Sequence, residues 1–60
     1  MIYRVYEIDL CDVATLQCTF KGPDAYEKAK QMRDLLYVVQ DKCLETGEQR
    51  ERMRYVIIGD

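Results

Sequence analysis

Histidine, tryptophan, serine and asparagine are all missing from this 60-residue chain. Without histidine there is no Ser–His or Cys–His couple, no imidazole base and no imidazole ligand for a metal. Long apolar runs are missing too, and none approaches the length that spans a bilayer. The opening stretch MIYRVYEIDL is interrupted by charges, which a signal peptide is not, so a cytoplasmic setting is expected. An excess of positive charge is absent as well. The net charge of −2 and the pI near 5.0 leave no global attraction to nucleic acid or to an anionic membrane.

Cysteine is present three times, at Cys11, Cys18 and Cys43. An odd count cannot close a disulfide framework without a thiol left over. No C-x-x-C pair exists, and a structural zinc site would need four thiolate or imidazole ligands in such pairs. Cys18 and Cys43 fall on apolar faces and read as small buried hydrophobes, while Cys11 sits by a turn and is the thiol expected to be exposed. No metal and no cofactor is expected.

What the chain does have is an ordinary globular share of hydrophobic residues, 48%, with 33% charged. Sixty residues form a single small domain, 1–60, which buries only about 60% of the surface its unfolded chain exposes. Residues 1–10 are rich in β-branched and aromatic side chains and read as a strand. Its alternation is imperfect: Ile2, Tyr6, Ile8 and Leu10 share a face with Arg4, and Tyr3 and Val5 occupy the other. Either a bulge near Val5–Tyr6 shifts the phase, or the strand is apolar on both faces. CDVA follows, with Asp12 suited to open a type I turn. TLQCTF then alternates, Leu16, Cys18 and Phe20 pointing one way, which completes a hairpin.

Gly22 and Pro23 break that strand. Asp24, with Glu27 three residues on, has the pattern of a capping box. Ala25, Ala29, Met32, Leu36, Val39 and Cys43 follow a 4-3-4-3-4 spacing and predict one core-facing helical stripe. Leu35, Tyr37 and Val38 widen the apolar surface in the second half. ETGEQRER is polar, Gly47 can end the helix, and MRYVIIGD is a last strand. The order β-β-α-β, with a right-handed crossover, predicts an α+β fold: a three-stranded antiparallel sheet of order 2-1-3 with one helix packed on one face.

Two acids, Glu7 and Asp9, share a strand face in this reading, and in so small a chain they read as solubilising charges rather than a catalytic pair. Lys28, Lys30 and Arg33 on the helix, with Arg50, Arg52 and Arg54 after it, form the alternative reading, a small nucleic-acid-associated protein; Glu48 and Glu51 interleave with the second group. The strongest signal is a surplus of apolar side chains. One helix covers one sheet face, and the other face normally turns polar. Here Tyr3, Val5, Val56 and Ile58, or their neighbours if the phase is inverted, would occupy that second face, and Leu35, Tyr37 and Val38 add to the excess by the helix. These residues are the expected interaction surface, closed by self-association or by a protein partner.

Taken together, YRVYEIDL, DAYEKAKQMRDLL and RYVIIGD resemble the small β-β-α-β accessory proteins of bacteriophage genomes, among them anti-CRISPR and other anti-defence proteins. The resemblance spans nearly the whole chain and is architectural. It implies a non-enzymatic protein that binds and inhibits a host defence protein in the host cytoplasm, and it assigns no functional residue. The expectation is a homodimeric protein-interaction module.

Overall fold

The computed structural model describes residues 1–59. Strands β1 (Ile2–Ile8) and β2 (Ala14–Lys21) form a hairpin, helix α1 (Ala25–Thr46) crosses the sheet, and β3 (Arg54–Gly59) returns beside β1. Strand order is β2-β1-β3 and both pairings are antiparallel, as the connection rules require.

Asp9, rather than Asp12, opens the hairpin turn. The Asp9 carboxylate accepts the amides of Cys11 at 2.8 Å and Val13 at 2.9 Å, and Asp12 N–H donates to Asp9 O at 3.0 Å. Asp12 itself takes the left-handed position, φ 61°, which a short polar side chain tolerates. At the helix start Asp24 stands in the cap position without a side-chain cap bond; its carboxylate faces Lys28 at 3.7 Å instead, so the expected capping box does not form. The helix ends at Gly47, φ 79°, as the sequence predicts.

β1 runs unbroken against β3 from Tyr3 to Ile8, so its two faces alternate without a phase shift. The register shift opposite Val5 and Tyr6 comes from β2, where Gln17 is the extra residue between Leu16 and Cys18. Residues directly opposite in an antiparallel pair share a face. Cys18 opposite Val5 therefore faces the helix, and Leu16 opposite Tyr6 faces the other way. The expected common face for Leu16, Cys18 and Phe20 is corrected by this one inserted residue.

The helix covers Tyr3, Val5 and Glu7 of β1. Val5 is fully buried with Ala25 and Ala29, and Tyr55 of β3 completes the apolar core of the described residues. Two alanines at the start of α1 let the helix approach the strands closely. Farther along, the helical stripe drifts: Val39 is 50% exposed, and Gln40 is buried in the place expected for it. The Cα trace measures 38 × 22 × 10 Å, a helix about 33 Å long laid on a shorter sheet.

Candidate interaction surface

The face of the sheet away from α1 is uncovered. Opposed residues across it are Ala14, Ile8 and Arg54, then Leu16, Tyr6 and Val56, then Thr19, Arg4 and Ile58, with Lys21 beside Ile2 at the far end. The apolar part is concentrated toward the hairpin turn. Leu16 is 51% exposed, and Tyr6, Ile8 and Val56 are half-buried; on the turn, Leu10 and Val13 are 67% and 55% exposed. A second apolar feature lies on the outer side of α1, where Leu35, Val38 and Val39 are each at least half exposed.

The expected interaction residues divide accordingly. Val56 and Ile58 lie on the open face, and Leu35 and Val38 on the outer helix. Tyr3 and Val5 are corrected to the helix-covered face: Val5, like Ala25 and Ala29 of the helix, is fully buried, and the Tyr3 ring packs on Tyr26 with centroids 5.2 Å apart. Their places outside are taken by Ile2, Tyr6 and Ile8, the inverted phase that the pattern also allowed. Tyr37 points inward, edge-on to the Tyr55 ring at 5.1 Å, with its hydroxyl bonded to the β3 backbone. Leu10, Val13 and Leu16 were missed from the sequence. The first two flank the turn and could have been marked by it; Leu16 is turned outward by the bulge, and no alternation rule anticipates that.

The polar candidates are drawn into the fold. Asp9 holds the turn, while Glu7 lies under the helix and accepts the Tyr55 hydroxyl at 3.0 Å, so the two carboxylates do not pair. Burial, then the Glu7 bond and charge, push the Tyr55 phenol up to about 12. The basic residues are dispersed among acids: Lys28 faces Asp24, Arg33 faces Asp34, Arg52 meets Asp41 at 2.9 Å and Arg54 meets Asp12 at 3.2 Å, while Lys30 lies over the Tyr26 ring. Cys11 is exposed, and Cys18 and Cys43 are half-buried. Among the described residues there is no pocket and no grouping of three or more side chains able to hold a metal ion. No described helix is long and apolar enough to cross a membrane.

Comparison with protein-family models, with curated proteins and with solved structures gave no significant match.

Proposed function

We propose that this chain is a non-catalytic protein-interaction module that docks the open face of its sheet, centred on Leu16, Tyr6 and Val56, against a protein surface. One observation carries the reading. The face is uncovered and apolar at its centre, while among the described residues the buried apolar core behind it is Val5, Ala25, Ala29 and Tyr55. A domain of this size has little stability to spare, and removing a large aliphatic side chain from water is worth about 1.5–3 kcal/mol. Covering this face therefore contributes to the fold as well as to binding. The resemblance to phage accessory proteins directs the search for a foreign partner toward host defence proteins.

Leu16→Glu tests the reading, because the side chain is exposed and its replacement leaves the core intact. Sedimentation at high micromolar concentration and capture from nuclease-treated host lysate are compared for wild type and variant. The expected result is a complex, with itself or with a captured protein, that the wild type forms and the folded variant loses. A wild type that is monomeric throughout, with capture unaffected by Leu16→Glu, would overturn it. Capture abolished by nuclease would replace it with the nucleic-acid reading.

A further inference from the structure

The two outer strands of the sheet end in different ways. Along β3, the Tyr37 hydroxyl holds the outward backbone groups of Tyr55, and Gln40 holds those of Met53 just before the strand. Among the described residues β2 carries no such cover, and Ala14, Leu16, Thr19 and Lys21 are all exposed.

Two hydrogen bonds fix which way the β2 backbone points. Gly22 N–H donates to Met1 O at 3.1 Å, one step beyond the opposed residues Ile2 and Lys21. At the other end Asp9 N–H donates to Val13 O at 3.2 Å, one step beyond Ile8 and Ala14. Bonded and non-bonded pairs alternate along an antiparallel ladder. Counting inward from each end, Phe20 and Thr15 turn their amides and carbonyls to β1, while Lys21, Thr19, Leu16 and Ala14 turn theirs outward. The extra residue Gln17 lies between the two runs, so the outward residues are spaced by two, three and two positions.

That spacing reads the same in both directions. A regular strand offers its bonding groups at every second residue and loses count at the bulge, which is one way an edge refuses unselected strands. A second β2 running antiparallel carries the same interruption at the same place. Ala14 then lies opposite Lys21 of the second copy, and Leu16 opposite its Thr19, each pair exchanging two hydrogen bonds. Charge raises no obstacle, because Lys21 is the one charged residue of β2 and the antiparallel pairing sends its two copies to opposite ends.

We propose that two copies of this chain join through antiparallel pairing of their β2 edges about a twofold axis, making one continuous sheet. Opposed residues share a face, so both helices lie on one side and the two open faces run together on the other. The outer edges of the joined sheet are then the two β3 strands, which the helices already half close, so assembly stops at two copies. The contact uses strand backbone and leaves the open face uncovered, so it stands or falls apart from the proposed function.

Thr19→Pro tests the seam at the backbone. The proline removes an N–H that points away from β1, a position where an edge strand accepts it. Wild-type protein at rising concentration is expected to sediment up to the mass of a dimer and no further. Thr19→Pro, with circular dichroism to confirm the fold, should weaken that dimer about tenfold or more, since each copy loses a bond across the seam. Amide exchange read residue by residue gives the register. Ala14, Leu16, Thr19 and Lys21 should pass from free exchange to protection as concentration rises, whereas Thr15 and Phe20 should be protected throughout. If the proline unfolds the chain, charge replaces it as the probe. Leu16→Lys with Thr19→Lys opposes like charges across the seam and should give a monomer; Leu16→Glu with Thr19→Lys opposes unlike charges and should still dimerise. A wild type that stays monomeric, or a dimer whose outward β2 amides gain no protection, would overturn the inference. So would a dimer lost in Leu16→Glu but kept in Thr19→Pro, which would assign self-association to the open face. A monomeric wild type that captures a foreign protein through Leu16 would likewise sink this inference and leave the proposed function standing.

Discussion

The carboxamide of Gln40 grips the backbone of Met53 at both ends: Nε2 donates to Met53 O at 3.0 Å, and Oε1 accepts Met53 N–H at 2.8 Å. One turn earlier on α1, the Tyr37 hydroxyl accepts Tyr55 N–H at 2.9 Å and donates to Tyr55 O at 3.4 Å. Helix side chains thus stand where a neighbouring strand would, and they close the first half of the β3 edge. Gln49 adds a third bond to the same amide, donating to Gln40 Oε1 at 2.8 Å and tying the loop before β3 to the helix.

Replacing Gln40 by leucine keeps an aliphatic side chain in the buried site but leaves the Met53 amide and carbonyl without these partners. Unmet buried backbone groups cost about 1–3 kcal/mol, which in a domain of this size lowers Tm by roughly 4–8 °C per kcal/mol. Denaturant midpoints for wild type, Gln40→Leu and Gln40→Glu check this. The glutamate accepts from Met53 N–H but, when ionised, cannot donate to Met53 O, so it too should lose stability. Equal midpoints for Gln40→Leu and wild type would remove the edge-closing role.

Gly59 lies directly against the Tyr3 ring. A Cβ on Gly59 would stand 2.7 Å from Tyr3 Cδ1 and closer still to Cε1, and Tyr26 backs the ring on the helix side. Gly59→Ala therefore forces the ring toward Tyr26 and should cost about 1–3 kcal/mol, the usual range for overpacking. A double-mutant cycle with Tyr3→Leu isolates the contact, since the alanine should cost distinctly less once the ring is gone. Full additivity would contradict the account.

Gly47 tests backbone strain alone. Its φ of 79° is left-handed, and nothing lies within 4 Å of a Cβ placed there. Gly47→Ala should lower stability by about 1–2 kcal/mol, the cost of the left-handed conformation for an L residue, without altering packing. The readout is the thermal midpoint, with an unchanged near-ultraviolet spectrum.

Periodicity carried the fold because its signals were local. The alternation in RYVIIG, the 3.6-residue repeat from Ala25 onward and the left-handed stop at Gly47 each act within a few residues. Crossover handedness then ordered the strands. The site was less legible, for three identifiable reasons. Gln17 adds one residue to β2 and sends Leu16 to the open face, and one insertion is invisible to a pattern of strict alternation. Gln40 displaces Val39 from the interior because hydrogen bonds to β3 outweigh its polarity, and hydropathy counts such a residue as surface. In β1 both faces are apolar, so only which face the helix covers decides that Val5 is fully buried and Tyr6 is not.

The Tyr55 phenol gives the fold a defined alkaline limit. Burial first, and then its bond to the Glu7 carboxylate, push it up to about 12 from the ordinary phenol value of 10.0. Below about pH 10 the phenol is protonated in folded and unfolded chains alike, and its contribution to stability is fully present. Between about pH 10 and pH 12 the unfolded chain ionises first and binds fewer protons than the folded one, so stability falls as pH rises. Tyr55→Phe removes both the ionisation and the Glu7 bond, at a cost of about 1.5–3 kcal/mol at neutral pH for a hydrogen bond to a charged group. The stability advantage of wild type over Tyr55→Phe should therefore shrink steadily across that alkaline window. Urea midpoints of the two proteins along the same pH series measure it directly, and an advantage that stayed constant to about pH 12 would contradict the assignment of the raised phenol to Tyr55.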